Sequence, residues 1–139
     1  MLQTFIMKPA RAIAVIITLL LTSCGGDKQD IHQLLDARDQ AVSSRNINSY
    51  SALLHSDYDH LGQTASDVLV RVETLFFQFD TMEMSSSDRT IYFVDDSHAQ
   101  CEQSYILRVK ADDEWRAIAQ RERLDLIKSA DGWKISGGL

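Results

Sequence analysis

The chain has 139 residues, with 14 basic and 20 acidic side chains and a formal net charge of −6. This length predicts one domain of ordinary size, and the acidic balance argues against nucleic acid as a partner. The sequence contains only two cysteines, Cys24 and Cys101, which excludes a scaffold held by several disulfides.

The first 23 residues have the charge and hydropathy pattern of a secretory signal peptide. Lys8 and Arg11 precede an apolar run at residues 12–21. The run is about half the length that a membrane-spanning helix needs, roughly 20 residues. We therefore expect this segment to be cleaved from the mature protein, with Met1 and Met7 as alternative starts.

The segment ends in a tetrad that resembles the bacterial lipobox, Leu21-Thr22-Ser23-Cys24. The resemblance implies that lipid is attached to the Cys24 thiol and that the chain is cut before this residue. Two or more acyl chains would anchor the protein stably to a membrane. Gly25 takes the place of the aspartate that is associated with inner-membrane retention. The expected location is the cell envelope, at the periplasmic face of the outer membrane if the source has two membranes.

Cleavage would change both the charge and the cysteine content of the protein. It would remove Lys8 and Arg11, and so lower the formal charge from −6 to −8. Once Cys24 carries lipid, Cys101 has no internal disulfide partner. We therefore expect Cys101 to be a small, buried hydrophobic residue.

After cleavage, residues 24–29 are predicted to form a flexible lipidated tether, and residues 30–139 a single domain. A first helix is indicated by an apolar stripe at helical spacing, and this stripe also carries Arg38. Its apolar members are Ile31, Leu34, Leu35, Ala41 and Val42. Asn48 is placed to cap a second, shorter helix. Thr64 and Asp67 form a capping-box pattern ahead of a third helix.

From residue 81 the hydrophobic period changes to two, which is typical of strands. Four strands are predicted at residues 81–94, 100–110, 115–129 and 133–139, with turn residues between them. Helices followed by strands joined in hairpins predict an α+β domain with an antiparallel sheet that is covered on one face.

This order of elements resembles the nuclear transport factor 2-like superfamily, which includes the SnoaL-like cyclases and ketosteroid isomerase. The similarity runs from LLDARDQAVSSRNINSYSALLHSDY to the closing DGWKISGGL. It implies a cone-shaped fold, with three N-terminal helices packed on a curved antiparallel sheet. It also implies a ligand pocket between the helices and the concave face of the sheet. Because this fold supports enzymes, ligand carriers and docking modules, it does not by itself assign a function.

Alternation along the two longest strands indicates which side chains face the pocket. The inward faces are mainly apolar, and their polar members require partners. Together with Arg38 and two residues of the DYDHLG segment, these members form the predicted pocket set: Arg38, Tyr58, His60, Gln103, Tyr105, Gln120 and Glu122. The outward face is rich in charge, which favours a monomer or a weak homodimer.

Arg38 is the natural partner for Glu122, and two interpretations of this pair remain open. The first is a structural ion pair at the rim of the core. The second is a charged pocket floor that orients a ligand. Replacing both residues by apolar ones would distinguish the interpretations.

Asp59 and His60 are the candidates for catalysis, because the superfamily resemblance places them near an acid–base carboxylate of the isomerases. Histidine suits proton transfer near neutral pH. However, Arg38 stands where the isomerase pattern has its oxyanion-holding tyrosine, so isomerase chemistry is not carried over. No metal-ligand spacing and no cofactor motif are recognised.

The sequence therefore predicts a lipid-anchored, non-catalytic envelope domain that binds a small molecule or a partner protein in its pocket. Membrane attachment is assigned to the lipid on Cys24. The alternative is a small-molecule lyase, isomerase or hydrolase that uses His60 or Asp59 for proton transfer.

Overall fold

The structure is a computed structural model that describes residues 24–139, with side chains described from Gly26 onward. The predicted signal peptide, residues 1–23, and the Cys24 side chain lie outside the described residues. The described elements in chain order are α1 (Cys24–Ser43), α2 (Ile47–Ser51), β1 (Asp59–His60), β2 (Gln63–Thr64), α3 (Ala65–Gln78), β3 (Thr81–Phe93), β4 (His98–Ala111), β5 (Glu114–Ser129) and β6 (Gly132–Gly137).

Helix α1 lies along the sheet with its predicted apolar stripe buried, and Ile31 and Leu35 are completely inaccessible to solvent. The helix begins at Cys24, so the prediction of a flexible tether at residues 24–29 is wrong. The physical reason is a side-chain contact in the first turn. The Asp27 carboxylate accepts hydrogen bonds from Lys128 Nζ at 2.8 Å and from Trp133 Nε1 at 3.1 Å.

Helices α2 and α3 each begin at a residue whose side chain caps the first turn. The cap of α2 is Asn46, whose side chain accepts a hydrogen bond from the Ser49 backbone at 3.0 Å. The prediction of Asn48 as this cap is wrong, because the helix begins one residue before it. The capping box of α3 is confirmed, since the side chains of Thr64 and Asp67 each accept a hydrogen bond from the other residue's backbone.

The predicted four-stranded antiparallel sheet is confirmed, with strand order β3-β4-β5-β6. Strands β4 and β5 pair from His98 opposite Ile127 to Ala111 opposite Glu114. Their inner faces carry the core, and Cys101 is completely buried there as predicted. A short second sheet pairs β1 with β2 and leads the chain into α3.

A β-bulge interrupts the pairing of β3 with β4 between Ser87 and Thr90. One extra residue on β3 is accommodated by Asp88, which adopts a positive φ of 53°. A bulge bends its strand and redirects nearby side chains. Here the side chain of the next residue, Arg89, lies against α1 and is only 10% exposed.

The outer face of the sheet carries the predicted cross-strand charges. Arg108 pairs with Glu83 at 2.8 Å, and Arg121 lies 3.8 Å from Glu102. These pairs are exposed and contribute little to stability. Within residues 24–139, no helix is both long enough and apolar enough to cross a lipid bilayer.

Candidate functional site

A cavity of about 460 Å³ lies between the helices and the inner face of the sheet. Helices α1, α2 and α3 form one side, and β3, β4, β5 and the chain end form the other. The apolar side chains in the lining are Val42, Val72, Leu75, Phe76, Met84, Leu107 and Leu139, and the polar or charged side chains are Arg38, Tyr50, Arg71, Tyr105, Gln120, Arg121, Glu122 and Arg123. A volume of this size is typical of small-molecule sites.

Arg38 and Glu122 form the polar floor of the cavity as a two-pronged ion pair. The guanidinium donates from Nη1 to Glu122 Oε1 at 2.5 Å and from Nη2 to Oε2 at 3.2 Å. Their side chains are only 8% and 11% exposed. The predicted pair is therefore formed, and it joins α1 to β5 at the base of the cavity.

The environment of Arg38 keeps its guanidinium charged. Burial by itself would lower the pKa of Arg38, but the nearby Tyr50 side chain and the Glu122 carboxylate outweigh this effect and raise the pKa above its ordinary value. The Nε atom is buried and, within the part of the chain that the structure describes, has no hydrogen-bond partner. A charged, buried group with one unmet donor is costly unless a partner is supplied.

Gln103 fixes the orientation of Glu122 from below. Its Nε2 donates to Glu122 Oε1 at 2.7 Å, and its Oε1 accepts from Arg89 Nε at 2.8 Å. Because Arg89 can only donate, the Gln103 carbonyl must face it and the amide must face Glu122. Arg89 also pairs with Asp36 on α1 at 2.7 Å. A continuous polar chain thus connects the bulge in β3 with the floor of the cavity.

Tyr105 and Gln120 line the cavity above the ion pair. The Tyr105 hydroxyl donates to Gln120 Oε1 at 2.9 Å, and the Arg38 guanidinium carbon lies 5.9 Å from the centre of the Tyr105 ring. Burial raises the pKa of Tyr105, and the negative charge of Glu122 adds to this effect. The tyrosine is therefore a neutral hydroxyl at physiological pH.

The structure brings four of the seven predicted pocket residues into the lining: Arg38, Tyr105, Gln120 and Glu122. Gln103 does not reach the cavity, since it is completely buried beneath the floor. Tyr58 is also displaced from the lining, because its hydroxyl is held by the Leu139 backbone, donating to the carbonyl at 3.2 Å and accepting from the amide at 2.8 Å. Burial raises the pKa of Tyr58.

Asp59 and His60 also lie outside the lining. They form strand β1, which pairs with β2 in a short hairpin. In this pairing Asp59 is opposite Thr64 and His60 is opposite Gln63. The Asp59 carboxylate is exposed and accepts a hydrogen bond from the Gly62 amide at 3.2 Å. The hairpin thus uses Asp59 to stabilise its turn rather than directing it toward the cavity.

Sequence reasoning missed Tyr50, Arg71 and Phe76 in the lining and Arg89 beneath it. The helical spacing of Val72 and Phe76 was an available signal for one face of α3. Arg89 was signalled only by SSSDR, a run of residues that interrupts the alternation of β3. Among the described residues, no cluster of three or more potential metal ligands occurs.

No family model matches the sequence, and no curated protein matches it. Several solved structures do match its fold. A nuclear transport factor 2-like superfamily protein from Salmonella enterica serovar Typhimurium has a TM-score of 0.73 at 16% identity, covering 84% of this chain and 90% of that one. The Kfla4162 protein from Kribbella flavida has the same TM-score and coverage at 13% identity.

A candidate scytalone dehydratase from Novosphingobium aromaticivorans matches with a TM-score of 0.71 at 14% identity, covering 81% of each chain. Identities this low establish the fold and not the chemistry. Together with the helices and the four-stranded antiparallel sheet, these likenesses show that the chain has the α+β cone fold of the nuclear transport factor 2-like proteins.

Proposed function

We propose that the mature protein is a lipid-anchored domain of the bacterial cell envelope that binds a small molecule in its cavity without transforming it. The observation that carries this proposal is the buried Arg38 side chain at the floor of the cavity. It places a positive charge in the lining of the cavity, held there by two hydrogen bonds to Glu122.

The rest of the cavity has the composition of a binding site. Apolar side chains from α1, α3, β3 and β4 contribute to both sides of the cavity, and the Arg38–Glu122 pair forms its polar floor. Such a combination gives affinity through apolar burial and orientation through a small number of hydrogen bonds. A partner protein that inserts a side chain is the alternative occupant, and it would make the same contacts.

The absence of catalysis is proposed from the hydrogen bonds that the Glu122 carboxylate accepts in the cavity. Among the residues that the structure describes, Glu122 has the one carboxylate side chain in the lining. Both of its oxygens already accept hydrogen bonds from Arg38, and Oε1 also accepts one from Gln103. Protein donors therefore already occupy the carboxylate that a reaction in the cavity would have to use.

The alternative function, a lyase, isomerase or hydrolase that uses His60 or Asp59, has weaker support because neither residue reaches the cavity lining. It would require the β1–β2 hairpin to move. Turnover of a bound compound that is lost in a His60→Gln variant, while binding is retained, would favour this alternative.

The lipid anchor is proposed from the lipobox-like tetrad and from the charge order of the preceding segment. Detergent phase partitioning of the expressed full chain tests it. We expect the natural protein in the detergent phase and a Cys24→Ala variant in the aqueous phase. Cys101→Ala is the matched control, since Cys101 is buried in the core, and it should partition like the natural protein. A Cys24→Ala protein that stays with membranes after a salt wash would contradict the anchor.

Binding is tested by thermal unfolding in the presence of a library of small amphipathic compounds. A ligand that binds only the folded state raises the midpoint with concentration. We expect stabilisation of the natural protein and none of an Arg38→Met/Glu122→Leu variant. Equal stabilisation of both proteins would contradict the assignment of the site.

A further inference from the structure

We infer that the open edge of β5, residues 114–122, binds the same edge of a second copy of this chain. The two strands pair antiparallel about a two-fold axis at Ile118, and so join two four-stranded sheets into one. This interface goes beyond the proposed binding function and does not depend on it.

The edges of β3 and β6 are covered by other parts of the chain. On β3, the Ser86 backbone amide donates to the Asp39 carboxylate of α1 at 2.9 Å. On β6, the Ile135 amide donates to the Leu53 carbonyl at 2.8 Å, and the Ile135 carbonyl accepts from the His55 amide at 2.9 Å. Backbone groups that are satisfied in this way are not available to another strand.

The open edge of β5 has no such cover among the described residues. Strand β6 pairs with β5 only from Asp125 to Ser129, and a Cβ added at Gly138 would collide with the Arg123 carbonyl oxygen. The open edge therefore ends at residue 122, and residues 114–121 are all exposed to solvent. It contains no proline, no lysine and no bulge in its pairing with β4, which are common means of protecting an edge.

The backbone of the open edge presents donors and acceptors at regular spacing. Lys128 donates to the Ser97 carbonyl at 2.8 Å, and the register with β4 is continuous from there to the turn. Even-numbered residues of β5 therefore bond to β4. The odd-numbered residues direct their N–H and C=O groups to the open side, and these are Trp115, Ala117, Ala119 and Arg121.

A second copy of the same edge is the occupant that this arrangement fits. A two-fold interface brings identical surfaces together, and two such strands in one sheet run antiparallel. Pairing over the whole open edge places Ile118 opposite itself and Ala117 opposite Ala119. It covers Ile118, which is 49% exposed, and forms about eight backbone hydrogen bonds.

The outer face of this pairing brings unlike side chains together. Trp115 of each copy lies opposite Arg121 of the other. Trp115 already makes such a contact within its own chain, where the Arg108 guanidinium carbon lies 4.7 Å from the centre of a Trp115 ring. A cation beside an aromatic face is attractive, so this pair favours the register.

The inner face of the pairing is also compatible in charge. Arg116 lies opposite the uncharged Gln120 of the other copy. Glu114 lies opposite Glu122, but Arg38 donates two hydrogen bonds to Glu122 and compensates its charge. Like charges directly opposite each other destabilise a sheet, and this register has no such uncompensated pair. Since one strand from each copy buries little surface, the dimer should be weak and reversible.

Disulfide trapping of the purified full chain in a nonionic detergent tests the register. Opposite residues of a non-hydrogen-bonded antiparallel pair have Cα atoms about 4.5 Å apart, which a disulfide can span. Mild oxidation of an Ile118→Cys protein should therefore give a dimer, with peptide mass spectrometry locating the bridge between the two 118 positions. Ile106→Cys is the matched control and should stay monomeric, because Ile106 is 48% exposed but lies on β4, away from the edge.

Sedimentation equilibrium in a density-matched nonionic detergent measures the association itself. Ala119→Pro removes an open-side N–H without removing a hydrogen bond to β4. By symmetry it removes two hydrogen bonds between the copies, so it should weaken association by about tenfold or more. Ala119→Ser keeps the N–H and should associate like the natural protein. Circular dichroism of both variants checks that the fold is retained.

Three results would overturn the inference. The natural protein could stay monomeric at every concentration, or Ile118→Cys could cross-link no more than Ile106→Cys. Alternatively, a copurifying protein of another kind could be the species bridged to position 118, which would give the edge to a different partner. The small-molecule site at Arg38 is tested separately by thermal unfolding, so it does not fail with this interface.

Discussion

The ion pair at the floor of the cavity makes a strong prediction about coupled substitutions. Arg38→Met removes the principal donor of Glu122 and leaves that carboxylate with only the Gln103 amide at 2.7 Å. Glu122→Leu leaves the Arg38 charge buried without a counterion. The double variant removes both charges and fills the space with apolar atoms.

The magnitudes follow from the burial of the pair. Side chains that are 8% and 11% exposed are screened little by solvent, so loss of one partner should lower the free energy of unfolding by about 3–5 kcal/mol. The double variant should lose only about 1–3 kcal/mol, because the Gln103 amide then lacks its acceptor. The sum of the losses in the two single variants should therefore exceed the loss in the double variant by about 3 kcal/mol or more.

The assay is urea-induced unfolding of the natural protein and the three variants, followed by tryptophan fluorescence and circular dichroism. Arg108→Met is a suitable control, because its pair with Glu83 is exposed and should contribute about 1 kcal/mol or less. Additive single effects would refute the reasoning, since they would mean that the two charges do not depend on each other.

Three further predictions concern other parts of the fold. Burial raises the pKa of Cys101 to about 11, so the thiol should resist alkylation at pH 8 until the protein unfolds. Between about pH 9 and 11 the thiol ionises only in the unfolded protein, so the free energy of unfolding should fall as the pH rises through this range. The Lys128 hydrogen bond, aided by Trp133, lowers the pKa of Asp27. Its contribution is present above the ordinary carboxyl pKa and is lost as the pH falls below it. The protection factors of the amides in the second turn of α1, which correct for the intrinsic pH dependence of exchange, should therefore fall in acid and in Asp27→Ala at neutral pH. Thr64→Ala should remove the α3 cap and cost about 1 kcal/mol in urea unfolding, whereas an equal midpoint would refute its role.

Much of the fold was predictable because it depends on local periodicity. The stripe that contains Ile31 and Leu35 has helical spacing, and the alternation around Cys101 has strand spacing, so each element follows from its own residues. The start of α1 was not predictable in this way. It depends on Asp27 meeting Lys128 and Trp133, which lie about a hundred positions later in the chain.

The residues of the candidate site likewise divide into those that local patterns predict and those that they do not. Arg38 and Glu122 could be paired from sequence because each lies on a buried face of its own element. Arg89 could not, since only the bulge at Asp88 turns its side chain toward Gln103. His60 was placed by analogy with other proteins of the fold, and the β1–β2 pairing gives it a different position here.

Native mass spectrometry of the protein, purified gently from a bacterium that expresses it, tests the central claim most directly. The account predicts a noncovalent small-molecule adduct that is retained by the natural protein, lost on denaturation and absent from the Arg38→Met/Glu122→Leu variant. A natural protein without any adduct, or an adduct that the double variant retains equally, would contradict a ligand held at the Arg38 floor.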